Sequence, residues 1–169
     1  AYNLLNLPMT LAIANSSGSA TNTYVYAADG AKLKTVQQWS GDSKQTDYCG
    51  NMIYENGTLK RILTDGGYIE GGAYYFYVKD HEGNNRVVAD AGGTAVQSTH
   101  YYPFGMSYAE GNATSNQPYR YNGKELDTER GLNWYDYGAR FYDPAIARWT
   151  SVDPKAEKYY AVSEIGRAS

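Results

Sequence analysis

The chain reads as an all-β protein in which antiparallel hairpins form a rolled or curved sheet with little helix, and three observations predict this. Tyrosine supplies 19 of the 169 residues, and its ring favours a half-buried pleated surface with the hydroxyl near water. Eighteen glycines stand against five prolines, which suits many tight turns joining short strands. Asp29-Gly30, Asn56-Gly57 and Glu82-Gly83 recur about every 26 to 27 residues, a spacing that suggests an internal repeat with one hairpin per unit. A lone hairpin cannot bury its apolar face, so the units must stack edge to edge or pack on a second layer.

Taken in order, Ala1 to Ala14 reads as a strand entering mid-protein. It lacks a basic n-region and is broken by Pro8, so it does not qualify as a signal peptide. Tyr24 to Tyr26, Leu33 to Trp39, Asn51 to Tyr54, Leu59 to Leu63, Ala73 to Val78, Arg86 to Val88 and Ala95 to Tyr102 have strand length and β-branched or aromatic content, with turn residues between them. Asn56-Gly57 is the strongest hairpin signal, since both central positions of a type I′ turn need positive φ. Because Tyr74 to Tyr77 is aromatic on both faces, that strand is expected to be covered on both sides. Ala109 to Gln117, rich in Gly, Asn, Ser and Thr, is expected to be a loop. After Pro118 the texture changes: Gly123 to Gly131 is charged and turn-like, and two Asp-Pro steps bias Asp143 and Asp153 towards extended backbone. Lys155 to Tyr160 suits a short helical turn.

Composition excludes several functions. A net charge of −3 gives no electrostatic footprint for nucleic acid, and no apolar run approaches the ~18 residues of a membrane-spanning helix, so neither nucleic acid nor membrane insertion is expected. Cys49 stands alone, which rules out an internal disulfide and a thiolate zinc cluster, and it is expected to be a buried or half-buried filler. His81 and His100 are the only histidines, so a three-histidine zinc site is impossible. Asp80-His81-Glu82 reads as a turn held by Asp80 and Arg86. There is no nucleophile elbow, Walker loop or dinucleotide fingerprint, and no metal or cofactor is expected.

The most specific stretch is YRYNGKELDTERGLNWYDYGARFYDPAIARWTSVDP, residues 119–154. Tyr121, Asn122, Gly123, Lys124, Glu125 and Asp127, then Gly131, Leu132, Tyr135, Tyr137, Ala139, Arg140, Tyr142, Asp143 and Pro144, then Arg148, Asp153 and Pro154 follow an order similar to the repeat-associated core of Rhs/YD-repeat proteins. In that pattern a glycine precedes the residue that aligns with Arg148. Upstream, Tyr26-Ala-Ala-Asp-Gly30 with Leu33 and Val36, and Ile53-Tyr-Glu-Asn-Gly57 with Leu59 and Ile62, resemble two YD-type units. The stretch from Tyr77 to Val88 and the stretch from His100 to Gly105 resemble the segments that precede the core. The likeness covers about residues 20–162. It implies YD-type hairpins over 1–118, the core over 119–162, an atypical and disordered or artificial tail over 163–169, and a chain cut from something longer.

The resemblance implies an arc of a β-shell, secreted or at the cell surface, that wraps or presents a variable C-terminal toxin or effector segment. Its partners are then the remainder of its own polypeptide and that segment, with self-association through sheet edges expected of a severed array. Two alternatives come from other classes. In shell-forming relatives the core cleaves itself through aspartates and an arginine, which carries over to Asp143, Asp153, Arg140 and Arg148. The Asp-Pro-x-Gly phrase near that cut is missing here, because Lys155 and Ala156 follow Asp153-Pro154, and the structural reading has each Asp capping a turn and pairing with Arg140 or Arg148. The other alternative is a carbohydrate-binding surface that takes glycans on Tyr75, Tyr77, Trp134 and Trp149. Paired aromatics are equally the ordinary stabilising unit of an antiparallel sheet.

Overall fold

The computed structural model describes residues 1–15, 18–111 and 116–153. Eleven strands form one antiparallel sheet in which every strand pairs with its neighbours in sequence. They are β1 (Thr10–Asn15), β2 (Gly18–Tyr26), β3 (Lys32–Trp39), β4 (Asp42–Cys49), β5 (Met52–Glu55), β6 (Thr58–Thr64), β7 (Gly67–Glu70), β8 (Ala73–Lys79), β9 (Asn85–Asp90), β10 (Ala95–Tyr101) and β11 (Ser107–Gly111). A second antiparallel sheet holds β12 (Glu125–Asp127), β13 (Trp134–Asp136), β14 (Phe141–Asp143) and β15 (Arg148–Trp149). The all-β expectation holds. The helical content among the described residues is two 3-10 turns, Tyr121–Gly123 and Glu129–Gly131, and no helix there is long and apolar enough to cross a membrane.

Turn chemistry sets the meander. Asn56 and Gly57 take φ of 48° and 78°, the left-handed pair that a type I′ turn needs, and Glu55 faces Thr58 across it. Four other hairpins share one five-residue loop, starting at Ala27, Asp80, Asp90 and Tyr102. In each, the first N–H donates to the fifth carbonyl at 2.8–3.1 Å and the N–H of the glycine at position four donates back to the first carbonyl at 2.9–3.0 Å. Those glycines, Gly30, Gly83, Gly93 and Gly105, all sit at φ between 80° and 90°. Asp80 adds carboxylate bonds to the N–H groups of Glu82 and Asn84 at 3.0 Å, and Arg86 lies 3.9 Å away, so the turn is held as expected.

The repeat is not one hairpin per unit. Between Asp29-Gly30 and Asn56-Gly57 lie β3, β4 and β5, and between Asn56-Gly57 and Glu82-Gly83 lie β6, β7 and β8. An odd number of strands per period puts successive Gly turns on opposite edges. Strands β4 and β7 escape a hydrophobicity reading because Asp42–Cys49 is mostly polar and Gly67–Glu70 has only four residues. Pairing partners define β4 instead: Lys34 faces Asp47 with a 3.2 Å ion pair, and Thr35 faces Thr46. The expected loop after Ala109 is corrected at its start, since β11 pairs Ala109 with His100 and Glu110 with Thr99. Lys155 to Tyr160 and the tail lie outside the described residues.

Strand alternation divides the large sheet into a covered and an open face. The covered face is largely polar, with Asn22, Thr35, Gln37, Thr46, Arg61, Gln97 and Thr99 buried beside Tyr24, Ile53, Tyr68 and Val88. On the open face Tyr74, Phe76 and Val78 are 47%, 48% and 55% exposed, so β8 is covered on one side and not on both. Cys49 is exposed, because it shares the open face with its cross-strand partner Met52 at the end of β4.

The small sheet is gripped from both sides. Leu126, Tyr135, Tyr142 and Trp149 point one way, and with Tyr121 and Tyr101 they form the buried aromatic core. There the hydroxyls of Tyr121, Tyr142 and Tyr135 donate to the carbonyls of Pro103, Phe104 and Gly105 at 2.9, 3.1 and 3.1 Å. Phe141 on the opposite face packs on Tyr24 of β2, with ring centroids 5.5 Å apart. The large sheet therefore curls, so that β2 meets one face of the small sheet and the β10–β11 loop meets the other.

That grip depends on Gly105. A Cβ there would come within 2.5–2.7 Å of the Tyr121 ring, at a φ of 90° that already disfavours L side chains. Gly105→Ala is expected to cost about 2–5 kcal/mol in urea unfolding, against about 1–2 kcal/mol for Gly41→Ala, where the left-handed backbone is the only penalty. Conversely, Ala147 holds φ of 56° with a side chain attached. Ala147→Gly is expected to raise stability by up to about 1 kcal/mol in the same assay.

Candidate functional site

The site is the interface between the acidic face of the small sheet and the covered face of the large one. Period-two alternation along β12 sends Leu126 into the aromatic core and Glu125 and Asp127 to the other side. Asp136 joins them because it faces Glu125 across the β12–β13 pair. Opposite stand side chains of β2, β3 and β4. Lys32 Nζ lies 2.7 Å from Glu125 and 2.6 Å from Asp136. Tyr48 donates its hydroxyl to Glu125 at 2.8 Å, and the Lys32 ammonium sits 4.5 Å above the Tyr48 ring. Burial pulls the Lys32 pKa down, but Glu125, Tyr48 and Asp136 together hold it well above the usual lysine range.

Asp127 is held by neutral donors. Asn22 Nδ2 and the Tyr24 hydroxyl reach Oδ2 at 3.2 and 3.1 Å, while Gln37 Nε2 and the Glu129 N–H reach Oδ1 at 3.2 and 3.1 Å. Burial, opposed in part by these bonds, pushes its carboxyl up to about 6. Further along, Lys44 lies 3.4 Å from Glu129 and 3.6 Å from Glu55. A cavity of about 360 Å³ remains between the layers, reaching from Glu125, Asp127 and Glu129 to Arg61, Tyr68 and Glu70. Arg61 and Lys60 both pair with Glu70, and they hold its carboxyl below the ordinary range against the opposing effect of burial.

Of the residues singled out from sequence, Tyr75 lines this cavity and the others lie elsewhere. Asp143 accepts from the Trp134 indole N–H at 3.0 Å and from the Ala145 N–H at 2.9 Å, which caps the turn after β14. Arg140 Nη2 lies 2.8 Å from Asp153, and the guanidinium stacks 4.2 Å from the Trp149 ring. Arg148 is exposed and faces Asp143 across β14–β15. Tyr75 stacks on Tyr68 with centroids 4.8 Å apart, Tyr77 donates to Gln117 Oε1 at 3.3 Å, and Trp149 packs edge-on against Tyr137 at 5.0 Å. Each of these aromatics has a ring contact or hydrogen bond within the chain, and the more exposed ones of β8 are Tyr74 and Phe76. Sequence reasoning passed over Lys32, Asn22, Tyr24, Gln37 and Asp136, whose roles arise from juxtaposition across about a hundred residues of chain. Glu125-Leu126-Asp127 carried the one available signal, an acidic alternation on a single strand.

The family model described as Teneurin YD-shell matches residues 68–164. The chain belongs to this family. The Rhs/YD-repeat resemblance is thereby shown. The chain is 33% identical over 139 residues to salivary gland surface protein 1 of Aedes aegypti, covering 80% of this chain and 4% of that protein. It is 38% identical over 77 residues to toxin subunit YenC1 of Yersinia entomophaga, covering 43% of this chain and 8% of that protein. Its fold is similar to that of a TcdB2-TccC3-TEV crystal structure, with a TM-score of 0.76, 20% identity and coverage of 91% of this chain and 9% of that one. A Photorhabdus luminescens Tc holotoxin pore gives a TM-score of 0.72 at 18% identity, covering 90% of this chain and 8% of that chain. This YD-shell segment thus spans between 4% and 9% of the length of these relatives.

Removing the central cation of the YD-shell interface tests its weight. Lys32→Met would leave Glu125 and Asp136 buried together, and a loss of about 3–5 kcal/mol in urea unfolding is expected, mostly regained on adding Glu125→Gln and Asp136→Asn. Because docking raises the Lys32 pKa, its contribution is complete below the ordinary lysine value and is lost as pH rises through the elevated one.

Proposed function

We propose that this segment is a wall of a hollow YD-repeat shell that encloses part of its own polypeptide, a variable C-terminal toxin or effector segment presented outside the producing cell. The observation that carries the reading is the curl of the eleven-stranded sheet around the small one, with a polar covered face and a residual cavity between them. A polar lining resists collapse onto an enclosed chain, whereas an apolar one binds it. The toxin subunits of Yersinia entomophaga among its relatives, and its fold likeness to a Tc holotoxin component, support a place in a toxin assembly.

In this reading the small sheet seals the wall, and its loss opens the shell. Limited proteolysis of the complete polypeptide is expected to leave the enclosed segment intact in the wild type. Lys32→Met is expected to speed its cleavage at least about tenfold, the equivalent of ~1.4 kcal/mol of lost docking. Cleavage of that segment in the wild type as fast as in the isolated segment would defeat the enclosure reading.

One observation favours self-cleavage as a second reading: the buried Arg140 guanidinium seats the Asp153 carboxylate and neighbours Trp149, whose strand also carries Arg148 opposite Asp143. Intact mass spectrometry of the complete polypeptide is then expected to show a discrete cut that Asp143→Asn or Asp153→Asn abolishes. An uncut wild type, or cut variants, would remove this reading.

A further inference from the structure

Beyond its role in docking, the cluster around Lys32 holds the parts of a condensation reaction. Lys32 Nζ lies 2.6 Å from Asp136 Oδ2, and the two side chains are 13% and 10% exposed. The other carboxylate oxygen of Asp136, Oδ1, accepts the Gly138 N–H at 2.7 Å. Lys32 also donates to Glu125 Oε2 at 2.7 Å, while Glu125 Oε1 accepts the Tyr48 hydroxyl at 2.8 Å. One poorly solvated place therefore joins a nitrogen nucleophile, a carboxyl carbon, a backbone donor on that carboxyl's far oxygen and a second carboxylate able to carry a proton. An ion pair needs only the first two.

We infer that Lys32 and Asp136 condense to an amide that ties β3 of the large sheet to β13 of the small one. The ion pair described above is the freshly folded form, and the amide is what it matures into. One proton moves from the Lys32 ammonium to Asp136 Oδ2, which leaves an amine beside a carboxylic acid. The Nζ lone pair forms a bond to Asp136 Cγ, and the displaced carbonyl electrons settle on Oδ1, where the Gly138 N–H stabilises them. The Glu125 carboxylate takes a proton from the nitrogen and delivers it to the Oδ2 hydroxyl. The Cγ–Oδ2 bond then breaks, water leaves, Oδ1 becomes the amide oxygen and Glu125 is a carboxylate again. An ammonium and a carboxylate are consumed, an amide and one water are formed, and no oxidant or reductant takes part.

Two opposing effects set the rate. Glu125, Tyr48 and Asp136 hold the Lys32 pKa high, which makes the neutral amine a minor form and the reaction slow. Fixed contact works the other way, since well-oriented groups on one scaffold react with effective molarities of about 10⁵–10⁸ M. The product is favoured because the amide removes a buried pair of charges whose desolvation is costly. Asp136 is the acceptor in preference to Glu125 because its contact is the shorter and its side chain, at 10% against 20% exposure, the more enclosed. The interlayer cavity, which Lys32, Glu125 and Asp136 all line, takes the released water.

Tryptic peptide mapping of the complete polypeptide by mass spectrometry tests the bond. Trypsin does not cut after an acylated lysine, so a peptide that runs through Lys32 and ends at Lys34 is expected to be joined to Gly131–Arg140, at their summed mass less one water, and to accumulate over days after folding. Unlinked peptides in aged protein overturn the proposal, as does a loss of water confined to Gly131–Arg140 or a link to Glu125–Arg130 instead. Lys32→Arg, which keeps the positive charge and cannot form the amide, is expected to give no linked peptide. Glu125→Gln is expected to slow accumulation of the link at least about a hundredfold, and accumulation at the wild-type rate overturns the proposal. If that variant fails to fold, the wild-type peptide map decides.

Discussion

Two-sided burial of the four-stranded sheet is the constraint on which the rest of the structure depends. Its strands have two or three residues each, too little for independent stability, so both faces must find cover. The aromatic face finds it on the loop from Tyr102 to Met106 and the acidic face finds it on β2 to β4. A sheet whose distant strands must meet opposite sides of one object has to curl. The odd strand count per period, the five-residue Gly loops and the bulges between the strands give it the freedom to do so, since bulges increase local twist.

The two grips differ in kind, and the difference bears on what the assembly can do. Tyrosine rings against backbone carbonyls give burial and neutral hydrogen bonds, which respond little to pH. The other grip is a row of carboxylates on a few cations and amides, where removal of one partner strands another. Buried ion pairs of this sort contribute little net stability over an apolar contact, yet they fix register, because only one alignment of β12 on β2 to β4 satisfies Lys32, Tyr48 and Asp127 together. The interface is therefore specific in register.

Burying many polar side chains on the covered face while β8 turns apolar ones outward departs from the usual arrangement of a two-layer protein. Asn22, Gln37, Gln97 and Thr99 lie beneath the core segment, while Tyr74, Phe76 and Val78 face outward. In the enclosure reading proposed above, a largely polar lining offers an enclosed chain little apolar surface on which to collapse.

The sequence by itself determined the strand class, the turn positions and the family. Tyrosine content, the Asn56-Gly57 pair and the ordered block from Tyr121 to Asp153 are local properties, and hairpin geometry follows from φ preferences acting over two to five residues. The weakly apolar strands β4 and β7 were hidden, because pairing with already formed neighbours, and not their own composition, holds them in place. Which carboxylates meet across the interface is legible in the tertiary structure alone. Asp143 and Asp153 stand out beside their prolines; one caps a turn and the other pairs with Arg140. Asp127 looked like one letter of a motif until the curl of the sheet brought Asn22, Tyr24 and Gln37 around it from some ninety to a hundred residues away. Charge balance in a buried gap is set by what folding juxtaposes, and no spacing along the chain records it.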